Sequence, residues 1–130
     1  MTVVANAANL AAVHHFVRAV SAESSGFRGE ALQRLDLVVE ESFLNIAMHA
    51  CPGETVEVEC AGETGSVTVV FRYPGPAFDP TGADAPEPDL EAPLAERRIG
   101  GLGIYLTRAL ARSVHYRREG SINCLTLRVE

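Results

Sequence analysis

The chain has 130 residues, of which 47% are hydrophobic, so it is long enough to bury a core and too apolar for a disordered chain. Its formal net charge is -6 and its basic residues form only short pairs, which argues against nonspecific nucleic-acid binding. Three cysteines without a CxxC spacing argue against a disulfide framework and a thiolate zinc site. We expect one cytoplasmic domain over residues 1–130, with neither a signal peptide nor a membrane span.

The first part of the chain predicts two helices. Apolar residues recur at helical spacing from about Leu10 to Ser24, where Ser-Ser-Gly at 24–26 ends the pattern. A second helix is predicted from about Gly29 to Ala50, ended by Pro52-Gly53. Its apolar stripe comprises Leu32, Leu35, Val39, Phe43, Ile46 and Ala50.

The alternation of apolar and polar residues predicts four strands, in two hairpins. The first hairpin has strands at Thr55–Cys60 and Ser66–Arg72, with its turn at Gly62–Gly65. The second has strands at Ser113–Glu119 and Ile122–Val129. A third helix, roughly Leu102–Arg112, precedes the second hairpin. This order predicts an α+β two-layer sandwich, with helices on one face of a mostly antiparallel sheet.

The second helix carries polar residues beside its apolar face. Glu41, Asn45 and His49 are spaced by four residues and so share one stripe of the helix. One interpretation is a solvated flank of an amphipathic helix. The other is a site for a magnesium-bound nucleotide, because an amide oxygen can bind the metal and a carboxylate can orient a hydroxyl or water.

Two glycine-containing segments are also candidate sites. Gly100-Gly101-Leu102-Gly103 opens the third predicted helix, where backbone amides can approach an anion. A plain loop-to-helix turn would explain the same residues. The stretch from Gly75 to Pro80 follows a strand, and it can equally be a proline-stiffened turn.

The order and spacing of these features resemble the GHKL ATPases, which contain the histidine kinase-like fold. Within them the chain is similar to the anti-sigma-factor serine/threonine kinases. VVEESFLNIAMHA resembles their N box, ERRIGGLGIYLTRAL the end of their ATP lid and the following glycine box, and NCLTLRV their closing strand. The resemblance covers nearly the whole chain and implies a Bergerat-type ATP-binding fold, with an ATP lid at about residues 77–100.

The resemblance also implies roles for individual residues. Glu41 would be the general base and Asn45 would hold Mg²⁺ through the nucleotide, with His49 lining the pocket. Thr126 would lie near the base pocket, as the threonine of the last strand does in the family. The remaining residues implied to bind the nucleotide are Tyr73, Gly75, Gly100, Gly101, Leu102 and Gly103.

The chain departs from the family pattern at two positions of the predicted turn around Gly75: Tyr73 replaces an aspartate, and Ala77 replaces the second glycine, which is the milder change. The family's aspartate accepts a hydrogen bond from the adenine amino group. A phenol oxygen can also accept a hydrogen bond, but the longer ring could fill the adenine space. We therefore expect binding of ATP that is weaker or less selective for adenine.

Two hypotheses follow for the function. The first is an ATP- and Mg²⁺-dependent protein serine/threonine kinase that phosphorylates an anti-sigma-factor antagonist and holds a sigma factor inactive by partner switching. The second is a binding module that keeps the fold and sequesters a regulatory protein without catalysis. The family implies a homodimer whose partners are a sigma factor, a STAS-type antagonist, or both, with no direct contact to nucleic acid. A metabolic ATPase is a weaker third reading.

Overall fold

The computed structural model describes residues 1–78, 107 and 109–130. In chain order, the helices and strands of this part are β1 (Thr2–Val4), α1 (Leu10–Ser24), α2 (Gly29–Asn45), β2 (Thr55–Glu63), β3 (Ser66–Tyr73), β4 (Ser113–Glu119) and β5 (Ile122–Val129). A π-helical turn, Ile46–Ala50, continues α2.

The described strands form one sheet in the order β1-β2-β3-β5-β4, and every neighbouring pair is antiparallel. Strand β3 lies in the centre of the sheet. Its neighbours are β2, with which it forms the first hairpin, and β5, the last strand of the chain. Both predicted hairpins are therefore present, and they meet along the β3–β5 pair.

The core lies between the helices and one face of the sheet. Alternate residues of β3, from Val67 through Val69 to Phe71, are fully buried with Leu125 and Leu127 of β5. The helices complete this cluster with Val13, Val17, Leu35, Val38, Val39 and Phe43. The prediction of an α+β two-layer sandwich with helices on one face is confirmed.

Two differences from the predicted elements have simple physical causes. Strand β1 was not predicted because three residues are too few to show a period, yet it pairs with Thr55–Glu57 of β2. The first hairpin turn is shorter than expected, since Gly62 lies within β2 rather than in the turn. A Cβ atom at Gly62 would lie 2.1 Å from Ser24 Oγ, so the glycine permits close packing of α1 on β2.

The end of the third predicted helix also differs. Thr107, Ala109 and Leu110 are helical, and the amide of Ala111 donates to the carbonyl of Thr107 at 2.9 Å. Ala111 and Arg112 instead form a bend that leads into β4, so the helix ends before Arg112. The predicted start of this helix lies outside the described residues.

Candidate functional site

Glu41 and Asn45 lie one turn apart in the last part of α2, as the sequence predicted. Both residues are half-buried, next to the fully packed Ser42 and Phe43. Neither side chain forms a hydrogen bond or ion pair with any residue in the described part of the chain. A carboxylate and an amide in this state are available to a ligand, whereas a structural pair would be engaged with neighbours.

Burial raises the pKa of the Glu41 carboxyl above its usual range, and the nearby charge of Glu40 adds to the increase. Desolvation disfavours a charged carboxylate, and a like charge acts in the same direction. A carboxyl with a raised pKa is a stronger base once it is ionised, which suits proton abstraction near neutral pH.

The π-helical turn changes the position of His49. The amide of Cys51 donates to the carbonyl of Ile46 at 3.0 Å, an i→i+5 bond that widens the helix after Asn45. The four-residue spacing from Asn45 to His49 therefore does not keep α-helical register. His49 is exposed, and no hydrogen bond links it to Asn45.

Tyr73 ends β3 on the helix side of the sheet and is only 1% exposed. It belongs to the hydrophobic core cluster together with Phe71, Ile46 and Ala50. The ring thus occupies a packed position, whereas an aspartate there would bring a charge into the core. That the ring fills the adenine space stays a prediction.

Asn123 is a site residue that sequence reasoning missed. It is fully buried, it lies opposite Tyr73 in the β3–β5 register, and its amide forms four hydrogen bonds. The Nδ2 group donates to the carbonyls of Tyr73 and Pro76, and Oδ1 accepts from Tyr116 Oη and Arg118 Nη1. An amide has two donors and two lone pairs, so Asn123 is saturated.

Thr126 lies on the other face of the sheet. It alternates with Leu125 and Leu127, which face the helices, and it pairs with Val70 and His115. The structure therefore does not bring Thr126 together with Asn45 or Tyr73. The polar residue of β5 on their side is Asn123, and its strand parity with Leu125 could have identified it.

Gly75 connects the end of β3 to the end of the π-helical turn. Its φ of 106° lies in a region that favours glycine, and a Cβ atom would lie 2.9 Å from the carbonyl oxygen of Ala50. Glycine is therefore required at this position for two reasons: the backbone angle and the close approach of the helix.

The other predicted site residues, Gly100, Gly101, Leu102 and Gly103, lie outside the described residues, as does the predicted lid beyond Phe78. Within the described ranges no group of three or more histidine, cysteine, aspartate or glutamate side chains could hold a metal ion. A single amide ligand is still compatible with Mg²⁺, which usually keeps several waters and binds substrate phosphates. No helix among the described residues has the length and apolar character of a membrane span.

A family model described as the histidine kinase-like ATPase domain matches residues 3–129, nearly the full length. No curated protein matches the chain. This domain type indicates ATP binding, typically with Mg²⁺, and the antiparallel sheet covered by α1 and α2 agrees with its fold. The chain therefore belongs to the family of histidine kinase-like ATPase domains.

Proposed function

We propose that the domain is a Mg²⁺- and ATP-dependent protein serine/threonine kinase that phosphorylates an anti-sigma-factor antagonist. The observation that carries the proposal is the pair formed by Glu41 and Asn45. These side chains lie one turn apart, are half-buried, and are not engaged by any described residue. The raised pKa of Glu41 supports its use as a base rather than as a partner in an ion pair.

In this proposal Glu41 accepts the proton of the substrate hydroxyl as that oxygen forms a bond to the γ-phosphorus of ATP. The bond between this phosphorus and the β–γ bridging oxygen breaks, and ADP leaves. Asn45 would hold Mg²⁺ through its amide oxygen, and the metal would neutralise phosphate charge. The backbone amides of Gly101, Leu102 and Gly103 are proposed to bind the phosphates, with Gly100 leading into them.

The proposed partners follow from the resemblance to anti-sigma-factor kinases. An unphosphorylated STAS-type antagonist would compete with a sigma factor for the domain, and phosphorylation would release the antagonist. The acting form would be a cytoplasmic homodimer. Sedimentation of the purified protein alone measures homodimer formation. Sedimentation with a candidate antagonist measures binding of that antagonist.

A second candidate function is supported by the residues at the end of β3. Tyr73 is packed in the core and Asn123 has no free hydrogen-bonding capacity. Neither side chain supplies the carboxylate that the family uses for the adenine amino group. A domain built in this way could hold a regulatory protein without using nucleotide.

Calorimetric titration with ATP, in Mg²⁺ and then in its absence, separates the two candidates. Micromolar binding that requires Mg²⁺ supports the kinase and shows that Tyr73 is tolerated. Absence of binding at millimolar ATP contradicts the kinase and favours the binding module. Titration of Asn45→Ala is the internal check, because loss of the proposed metal ligand should remove the Mg²⁺-dependent part of the affinity.

A further inference from the structure

The turn after β3, residues 73–76, has few groups that can stabilise it from within. Pro74 and Pro76 have no amide hydrogen, so two of its residues cannot donate a backbone hydrogen bond. Gly75 has a positive φ that other residues rarely adopt. The conformation of this turn therefore depends on contacts from elsewhere in the molecule.

Those contacts come from the β4–β5 hairpin. Asn123 Nδ2 donates to the carbonyl of Tyr73 at 3.2 Å and to that of Pro76 at 3.3 Å. Arg118 Nη1 donates to the carbonyl of Gly75 at 2.9 Å and to Asn123 Oδ1 at 3.0 Å. Three carbonyls of the turn are thus bound by two side chains, and Tyr116 Oη fixes the amide of Asn123 from the other side.

Arg118 differs from the other two members of this group because it is exposed. The core does not require it, and its other guanidinium nitrogens, Nε and Nη2, have no hydrogen-bond partner among the described residues. Its bonded nitrogen carries part of a positive charge, and charge-assisted hydrogen bonds are stronger than neutral ones. Among the described residues, Arg118 therefore acts through two hydrogen bonds, one to the Gly75 carbonyl and one to Asn123 Oδ1.

The turn at residues 73–76 also contacts the helix that carries Asn45, the proposed metal ligand. Gly75 packs against the carbonyl of Ala50 and against Cys51, at the end of the π-helical turn that follows Asn45. A shift of the Gly75 peptide would therefore change the separation between the end of β3 and the helix. Both sides of the proposed nucleotide site meet at this contact.

We propose that Tyr116, Arg118 and Asn123 form a latch, in which Arg118 is a positioning residue for the nucleotide site. The latch acts through the Gly75 peptide and needs no contact between Arg118 and the nucleotide. The inference rests on the proposed function for its effect on ATP, but the latch itself is a property of the ligand-free protein. The two parts can therefore be tested separately.

The test compares Arg118→Ala with Arg117→Ala. Arg117 is the adjacent residue of β4, is also exposed, and forms an ion pair with Glu119 at 2.9 Å on the other face of the sheet. Both variants lose one arginine charge from the same strand. The first measurement is ¹⁵N relaxation of the Gly75 amide without ligand, and the second is the dissociation constant of Mg-ATP.

In Arg118→Ala, the Gly75 order parameter should fall from a rigid value of about 0.85 to below about 0.6. Mg-ATP affinity should fall about tenfold, by analogy with misplaced positioning groups. Arg117→Ala should change neither quantity. Arg118→Lys should recover part of both, because an ammonium group can still donate to the Gly75 carbonyl.

An unchanged Gly75 order parameter in Arg118→Ala would overturn the latch. A mobile Gly75 with unchanged Mg-ATP affinity would overturn the positioning role. If the unmodified protein binds no Mg-ATP, the proposed kinase function and the positioning role both fail, while the relaxation measurement still decides whether the latch exists. Thermal melting of each variant shows whether a global loss of stability explains the result.

Discussion

At the end of α2, Glu41 and Asn45 are half-buried and have no partner among the described residues, whereas at the end of β3, Tyr73 and Asn123 are fully buried and Asn123 has no hydrogen-bonding capacity to spare. The first region keeps polar groups available at a cost in stability, since burial already raises the pKa of Glu41. The second region uses the same kinds of group to hold the structure together. A site with polar groups available at the end of α2 and none available at the end of β3 would bind phosphate and metal better than it recognises a base.

The comparison is most strongly tested by Glu41→Gln. The substitution keeps the size of the side chain and removes its ability to accept a proton. We expect phosphotransfer to fall by about 10²- to 10⁴-fold, the usual contribution of a general base, with little change in ATP affinity. Glu40→Gln is the matched control, because neighbouring residues of a helix point about 100° apart and loss of the Glu40 charge removes only the smaller cause of the raised pKa of Glu41. Full phosphotransfer activity in Glu41→Gln would remove Glu41 from the mechanism.

At the end of β3, Tyr73→Asp should lower the unfolding free energy and raise the affinity for ATP. Truncating a fully buried aromatic costs about 3–5 kcal/mol of unfolding free energy, which urea denaturation measures. A carboxylate here would also give the base an acceptor, and ATP affinity should rise about tenfold to a hundredfold. Tyr73→Asn is the control for size without charge. Equal ATP affinity in the Asp variant and the unmodified protein would show that this position does not face the base.

Asn123→Ala and Thr126→Ala compare the two faces of β5. The first change leaves the carbonyls of Tyr73 and Pro76 without their donor, so we expect a loss of about 1–3 kcal/mol in urea denaturation. The second removes a half-buried side chain from the outer face and should stay within about 0.5 kcal/mol. A larger loss for Thr126→Ala would reverse the assignment of these residues.

The smallest expected effect is the pH dependence that Glu41 adds to stability. Its raised pKa means that the folded state binds this proton more tightly than the unfolded state does. The contribution is therefore full below the unfolded pKa and is lost as pH rises through the folded pKa. Relative to the unmodified protein, Glu41→Gln should gain unfolding free energy as the pH rises from the pKa of an unfolded glutamate, about 4.3, through the raised pKa of the folded state. A constant difference over that range would contradict the raised pKa.

Much of the fold follows from local patterns in the sequence. The apolar stripes of α1 and α2 and the alternation in β3 and β5 each identify a buried face, and those faces meet in one core. The turn residues Gly62–Gly65 were harder to place, because the sequence does not show that Ser24 of α1 comes close to Gly62.

The site was predicted less completely than the fold. The positions of Glu41 and Asn45 follow from α-helical spacing, and the structure keeps that spacing up to Asn45. The π-helical turn after it is held by backbone hydrogen bonds, such as the one from the amide of Cys51 to the carbonyl of Ile46, and no residue type specifies them. Asn123 was overlooked in favour of Thr126 because a threonine fits the family pattern, while the parity of β5 places the asparagine beside Tyr73.

The π-helical turn has a consequence for which sequence changes the segment can accept. It acts as one residue inserted into a helix, between Asn45 and the contact of Ala50 with Gly75. Deleting one exposed residue of this segment would remove the extra residue and let α-helical bonding resume, whereas a second deletion would rotate the two ends by about 100° relative to one another. Exposed positions such as Met48 can change identity freely. We therefore expect the segment to accept changes at its exposed positions and the loss of one exposed residue, whereas Ile46, Ala47 and Ala50 must stay apolar because they are buried.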